Sequence, residues 1–338
     1  MEPLKLLYLQ QEDVIAAGVL DMKKAVEDVE LVLKMYARNE VYMPLKTLLD
    51  FYDNGEYRGH IVSMPVYVGG DVDIACIKWA AGYPRNPAKY GLPLGIDIII
   101  LSDPHNGRPL AIMDGTLITA ARTAALAGIA VKYLKPSNTR TIGLIGAGVI
   151  GRTLLETLPI VVEGAEILLF DTKYNKAVEA ATESSFKHKI RVVKSFEEAV
   201  NESDVVITAT SAEKPFFKAS HIGKARLYVQ VGICEFEEEA ILKASKIVVD
   251  NWEQIKRYER TALGKLYSKK VINDSDAIEI ADVVSGRKKG RESGDEIIFF
   301  DTFGMACEDA IVAYRIYKTA LEKGIGRELC LWNKPLWK

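Results

Sequence analysis

The sequence is poor in the residues that build metal and disulfide sites, with four cysteines and four histidines in 338 residues. Cys76, Cys234, Cys307 and Cys330 form no CxxC pair, and His60, His105, His188 and His221 share no metal-ligand spacing with them or with each other. Closed zinc sites draw on paired short spacings, so no metal is expected. The cysteines read as buried, reduced thiols of a cytosolic protein. Charge of one sign is also lacking: 44 basic against 46 acidic residues leave a net −2. Neither nucleic acid nor an anionic membrane is called for as a partner. No window approaches the roughly 18 uncharged apolar residues of a membrane span. Met1–Gln11 lacks the apolar core of a signal peptide. The expectation is a chain in solution in the cytoplasm, and there is no internal repeat or low-complexity tract.

What is present is an ordinary globular balance, 49% hydrophobic and 27% charged. The length suggests two domains. Apolar spacing predicts a helix over 21–37, with Asp21 as N-cap and Met22, Ala25, Val26, Val29, Leu33 and Tyr36 on one face. Strands are expected over 60–65, 74–79, 96–101 and 109–113. The last two are joined through Asn106-Gly107, a hairpin signal. These predict an antiparallel or mixed sheet. An alanine-rich helix over 117–134 ends at the breaker cluster Lys135-Pro136-Ser137-Asn138, which the residues alone mark as a domain junction.

Beyond it strands and helices alternate. Strands are expected over 141–145, 166–171, 190–193, 204–210, 227–231 and 247–250. Helices are expected from after Gly148 to about 158, and over 175–184 and 196–203. This alternation implies a parallel sheet with helices on both faces, doubly wound by right-handed crossovers. The basic run Arg287–Gly294 reads as a solvated loop rather than a phosphate site, because no aromatic residue interleaves it. An apolar helix over 309–323, ending at Gly324, is expected to return to the first domain.

Chemistry concentrates at two places. Thr141–Arg152 contains GxGxxG at Gly146, Gly148 and Gly151, directly after an apolar strand and opening a helix. The first glycine suits the tight turn, the second the approach of a pyrophosphate, the third close helix–strand packing. The free N–H groups at the helix start, at Val149 and Ile150, face the phosphates. Asp171 ends the next strand, 25 residues after Gly146. A carboxylate there accepts from the adenosine ribose and repels a 2′-phosphate, so the expected cofactor is NAD on a Rossmann-type fold. The second place pairs Lys78, in an otherwise apolar strand, with Arg122, in the alanine-rich helix. Buried lysine is rare without a partner. Together the two could hold a substrate carboxylate, Arg122 by a bidentate contact. They could equally pair with local acids.

Several stretches together resemble the ornithine cyclodeaminase/μ-crystallin family: Met64-Pro65, Ile77-Lys78-Trp79, Asn106–Asp114, Arg122-Thr123-Ala-Ala, Ile145–Gly148, and Phe300–Gly304 with Glu308-Asp309. The resemblance covers nearly the whole chain. It implies a discontinuous α/β substrate-binding and dimerisation domain, 1–120 with 310–338, and a Rossmann NAD-binding domain, 121–309. It implies a homodimer acting on a small amino acid or imino acid. Lys46, Met64, Lys78 and Arg122 would contact substrate. Arg122, Thr123, Gly146, Gly148, Val149, Ile150, Gly151, Asp171, Ser211, Val231 and Thr302 would line the cofactor. Lys46 stands where many members carry a carboxylate-binding arginine and would serve as a point charge.

The chain departs from the cyclodeaminases after Val231. They resemble Gly-Gly-Asp there, with a catalytic aspartate; this chain reads Gly232-Ile233-Cys234-Glu235. Cys234 and Glu235 are the candidates for that position. The stretches Tyr67–Gly70 and Ile77–Trp79 look more like the siderophore-pathway amino acid dehydrogenases. The leading expectation is therefore an NAD-dependent amino acid or imino acid oxidoreductase, with Lys78 as acid/base. The alternatives are an ornithine cyclodeaminase and a catalytically silent μ-crystallin-like binding protein.

Overall fold

Residues 2–336 are described in a computed structural model; Met1, Trp337 and Lys338, at the outer ends of the expected first domain, lie outside the described residues. In chain order the first strands are β1 (Leu4–Leu9), β2 (Val41–Tyr42), β3 (Thr47–Asp53), β4 (Glu56–Val68), β5 (Ile74–Gly82), β6 (Gly95–Ser102) and β7 (Pro109–Asp114). After them come β8 (Thr141–Ile145), β9 (Glu166–Phe170), β10 (Ile190–Val192), β11 (Val205–Thr208) and β12 (Leu227–Gln230). The last are β13 (Lys246–Val249), β14 (Ala277–Glu279), β15 (Ile298–Asp301) and β16 (Arg327–Trp332).

The chain forms two compact units, residues 1–122 with 305–338 and residues 123–304. The junction is not at Lys135–Asn138. That cluster does end helix Thr116–Leu134, but the units exchange inside the helix, between Arg122 and Thr123. A continuous helix needs no breaker at a boundary, so composition carries no mark of it. This helix is long and apolar enough to cross a membrane, yet 78% of its apolar window is buried within the fold. It is a core helix. The sequence reading passed over it because Arg122 and Lys132 interrupt its apolar run.

The first unit holds a mixed sheet in the order β16-β1-β7-β6-β5-β4-β2, with β3 also on β4; only β1 and β7 pair in parallel. Register places Met64, Lys78, Ile99 and Met113 in one row, all buried. Helix Ala306–Lys323 covers this face of β4, β5 and β6. Its C-terminus closes on Gly324 in the left-handed region, φ 64°, where a residue without Cβ is unstrained. The opposite face leaves Tyr8, Leu49, Trp79, Ile96 and Ile98 exposed. The helix expected over 21–37 forms over Met22–Ala37, and the Asp21 carboxylate accepts from Lys24 N at 3.2 Å. The β6–β7 hairpin is present, but only Gly107 of the Asn-Gly pair has positive φ. The Asp103 carboxylate shapes the loop, accepting from His105 N at 2.9 Å and Asn106 Nδ2 at 2.7 Å.

The second unit is a sheet in the order β10-β9-β8-β11-β12-β15-β13-β14, parallel throughout. Long apolar runs explain it: β8, β9, β11 and β12 are buried almost end to end, as strands covered on both faces must be. The strand order reverses between β8 and β11, the switch point of a doubly wound sheet. The basic loop is not simply solvated. Arg291 donates to the carbonyls of Leu134 (2.8 Å), Glu296 (2.7 Å) and Arg226 (2.6 Å), so it braces three segments.

Candidate active site

The residues expected at the cofactor from Gly146 onward lie at, or in the segments that follow, the C-terminal ends of parallel strands. Gly146 follows β8, Asp171 follows β9, Val231 follows β12 and Thr302 follows β15, while Ser211 lies a few residues beyond β11. The glycines are needed for three different reasons. Gly146 has φ +111°, and a Cβ there would come within 2.4 Å of Ala209 O. A Cβ on Gly151 would lie 1.9 Å from Gly146 O, so the helix can rest on the turn only without one. Gly148 meets nothing within 4 Å. It caps helix Val149–Val161, where Val149 is 59% exposed and Ile150 half-buried. An open cradle above unpaired helix N–H groups fits a pyrophosphate. Asp171 accepts from Ala147 N at 2.9 Å and from Lys173 N at 2.8 Å. It therefore braces the glycine loop as well as ending the strand. Thr123 is buried, and Thr302 donates to Asp250 Oδ2 at 2.8 Å.

Glu235 and Cys234 do not form a reactive pair. Glu235 is fully buried and accepts four hydrogen bonds: Thr208 Oγ1 at 2.6 Å, Thr210 Oγ1 at 2.6 Å, Thr210 N at 2.7 Å and Gly232 N at 2.9 Å. Burial pushes its carboxyl up, and those donors hold it down. It ties β11 to the turn after β12, and a Cβ on Gly232 would strike its Cδ at 2.6 Å. Every donor around Glu235 belongs to the fold, so this geometry gives the expected catalytic role no support. Cys234 is half-buried, and burial raises its thiol above the ordinary range, so it is no ready nucleophile.

In the first unit Lys78 and Arg122 meet through acids. Lys78 Nζ lies 2.8 Å from Asp309 Oδ2, an ion pair outside hydrogen-bond geometry, and donates to Thr119 Oγ1 at 3.2 Å. Arg122 donates from Nε to Asp309 Oδ1 and from Nη1 to Glu308 Oε2, each at 3.0 Å. Lys78 is 2% exposed and Arg122 7%, with Glu308 and Asp309 at 0%. Burial opposes the guanidinium charge, but Asp309 and Glu308 outweigh it and raise the Arg122 pKa. The two acids sit in the first turn of helix Ala306–Lys323, where the helix dipole favours negative charge. Lys78 is thus held by partners and not by an apolar wall. Met64 stands opposite Lys78 in register. Lys46 is half-buried just before β3, one residue outside the pair Thr47–Ser63.

Glu308-Asp309 enters the sequence reading only as part of the family resemblance, without a role, and Asp97, which is 7% exposed and accepts from Thr119 at 2.5 Å, does not enter it. A signal for them existed. Thr119 and Arg122 are three apart on one helix face. Glu308-Asp309 interrupts an otherwise small and apolar helix start, Ala306–Ala313. Charges in such a run call for buried partners.

Comparison with known proteins places this geometry. The chain is 30% identical over 333 residues to N-((2S)-2-amino-2-carboxyethyl)-L-glutamate dehydrogenase of Staphylococcus aureus, covering 97% of this chain and 99% of that protein. The solved Delta(1)-pyrroline-2-carboxylate reductase of Thermococcus litoralis, in complex with NADH and L-proline, matches with TM-score 0.85 and 35% identity, over 95% of this chain and 99% of that one. An archaeal alanine dehydrogenase dimer with bound NAD matches with TM-score 0.85 and 33% identity, over 97% and 100%. The family profile described as Ornithine cyclodeaminase/mu-crystallin matches residues 7–324, and the chain belongs to that family.

Proposed function

We propose that the protein is an NAD-dependent oxidoreductase acting at Cα of an amino acid or of the corresponding imino acid. The observation that carries this reading is the buried pairing of Lys78 and Arg122 through Asp309, in a chain whose other unit presents the glycine cradle. Two cations kept charged in a dry site form a receptor for a small anion. Bound NAD supplies the hydride transfer. The chain's residues do the rest. Arg122 already gives Nε and Nη1 to Asp309 and Glu308, so its Nη2 end takes the substrate carboxylate. The acids fix the guanidinium plane, and positioning follows from that. Lys78 exchanges a proton with the substrate nitrogen. Gly146, Gly148 and Gly151 admit the pyrophosphate, and Asp171 sets the preference for NAD over NADP.

Cyclodeamination fits less well, because Glu235 is committed to the fold and Cys234 stands beside it. We also propose a cytoplasmic homodimer. Exposed apolar side chains gather on the open face of the first unit's sheet, around Tyr8, Leu49, Trp79, Ile96 and Ile98. A patch of that kind marks a protein interface. Light scattering at micromolar concentration should give twice the chain mass, and Trp79→Glu should give the monomer. The functional reading is tested by a panel of amino acids with NAD, and of oxo acids plus amines with NADH, followed by NADH absorbance. Net NADH formation or consumption is expected with at least one pair. Release of ammonia from ornithine without net NADH change would overturn it.

A further inference from the structure

We propose that Thr119 and Asp97 form a proton relay behind Lys78, by which Asp97 takes the proton that Lys78 removes from the substrate nitrogen. This rests on the oxidoreductase reading above and says where its proton goes.

The path is continuous. Lys78 Nζ donates to Thr119 Oγ1 at 3.2 Å, and Thr119 Oγ1 donates to Asp97 Oδ2 at 2.5 Å. A hydroxyl that accepts from an ammonium and donates to a carboxylate can pass a proton by shifting both bonds at once. The other partner of Lys78 leads nowhere: Asp309 is 0% exposed and shared with Arg122. Asp97 is 7% exposed and Thr119 half-buried, so this branch, unlike the Asp309 branch, leads away from fully buried groups. Its place is fixed by backbone: Thr116 Oγ1 accepts from Asp97 N at 3.2 Å, and Gly115 N donates to Asp97 O at 2.8 Å.

Charge counting points the same way. Lys78 and Arg122 carry two positive charges, and Asp97, Glu308 and Asp309 carry three negative ones when ionised. With all five ionised the acids exceed the cations by one, so the cluster has room to take one more proton. Glu308 and Asp309 are tied to the guanidinium by direct hydrogen bonds, while Asp97 is tied to a neutral hydroxyl. Asp97 is faced by Lys78 on β5, by Thr119 and Arg122 on helix Thr116–Leu134, and by Asp309 on the last helix. Burial, foremost, pushes its carboxyl above the ordinary aspartate range; Lys78, the Thr119 bond and Arg122 hold it down, and Asp309 adds to the rise.

In the oxidative direction the Lys78 ammonium first passes a proton to Thr119 Oγ1 as the Thr119 proton moves to Asp97, and the amine so formed takes one proton from the substrate ammonium. The freed nitrogen lone pair forms the C=N bond as the Cα hydrogen leaves with its electron pair to oxidised nicotinamide. Lys78 is then an ammonium again, and the extra proton sits on Asp97. Asp97 releases the proton to solvent. Reduction of an imine runs the same path backwards.

Three variants test this: Thr119→Val, which keeps the shape and removes the hydroxyl; Thr119→Ser, which keeps the hydroxyl; and Asp97→Asn. With the amino acid found by the panel, Thr119→Val and Asp97→Asn should lower kcat by about tenfold or more, a part of the 10²–10⁴-fold typical of a general acid–base group. KM should stay within about twofold, because neither residue holds the carboxylate. The acid limb of the kcat–pH profile should move to higher pH, since Lys78 then loses its proton only to solvent. Thr119→Ser should restore both rate and profile. Thr119→Val with wild-type kcat and an unmoved limb, in a protein of normal melting temperature, would overturn the relay. A separate readout needs no substrate. An infrared titration of the wild type should show a buried carboxyl band that titrates above the ordinary aspartate range, vanishes in Asp97→Asn and shifts in Thr119→Val. If no amino acid supports NADH turnover, the functional reading falls, and this titration still decides the relay. Absence of the band overturns it whatever the activity.

Discussion

Both units bury carboxylates, and they satisfy them in opposite ways. In the first, Glu308 and Asp309 are held by the cations of Arg122 and Lys78. In the second, Glu235 is held by two threonine hydroxyls and two backbone N–H groups, and Asp250 by Thr302 Oγ1 and the N–H groups of Asn251, Phe303 and Gly304. Asp301 accepts from the Gln230 amide at 2.9 Å, and burial above all drives its carboxyl far up. The difference separates chemistry from architecture. Glu235, Asp250 and Asp301, satisfied by neutral groups of their own fold, lock the ends of parallel strands. Glu308 and Asp309, paired with Arg122 and Lys78, balance cations in a dry place, and the proposed substrate site is built on those cations.

The sharpest way to break this contrast is Lys78→Met. Turnover per folded molecule should fall by about 10²–10⁴-fold if Lys78 is the acid/base. The protein should also melt lower, because Asp309 loses one of its two cations. Steady-state kinetics beside thermal melts separate the effects, and a normal kcat in a merely destabilised protein would reduce Lys78 to a structural cation.

Arg122→Lys comes next. It keeps the charge but cannot span Asp309, Glu308 and a substrate carboxylate at once. A charge-assisted hydrogen bond is worth roughly 1.5–3 kcal/mol, so substrate KM should rise at least about tenfold. NAD affinity, measured by calorimetry, should hardly change. Equal losses for substrate and NAD would move Arg122 to the cofactor.

Glu235→Ala sharpens the other side. It strands the Thr208, Thr210 and Gly232 donors, at about 1–3 kcal/mol for each one left unmade. The melting temperature should fall by several degrees, while the kcat of the folded fraction stays within about threefold, far short of the loss expected from removing an acid–base group. A collapse of kcat with unchanged stability would return Glu235 to the catalytic machinery.

The smallest effect belongs to Asp171→Ala. The preference for NAD over NADP should narrow, as loss of the carboxylate removes both the ribose acceptor and the repulsion of a 2′-phosphate. NAD affinity should fall too, because Ala147 N loses its acceptor. Competition binding of the two cofactors measures both, and an unchanged ratio would show that another residue sets the preference.

The Rossmann unit was legible because local pattern and global role coincide there. Thr141–Ile145 is a strand residue for residue. The glycine spacing depends on contacts within a few residues, and the same run that forms β8 aims Gly146 at the switch point. The first unit was legible in its strands and blurred at its edges. The sequence carries no expectation of β1, β2, β3 or β16, since none of them alternates between buried and exposed: β3 is exposed at all but one residue and β16 at every residue. Lys78 and Arg122 stood out as charges in apolar runs, but their partners lie 187 and 231 residues away along the chain at Asp309. No local rule links such positions.

The sequence by itself determined the element types, the glycine cradle, the carboxylate at Asp171 and the two cations worth watching. These follow from propensity, period and backbone sterics, which act over a few residues. Only the tertiary structure decided that Glu235 braces β11 to the turn after β12, that the units exchange inside a helix, and that Lys78, Arg122, Thr119 and Asp97 belong to one network around Glu308 and Asp309. The physical reason is desolvation. Whether a buried charge is paired, and by what, depends on groups that meet only when the sheet and the last helix pack together.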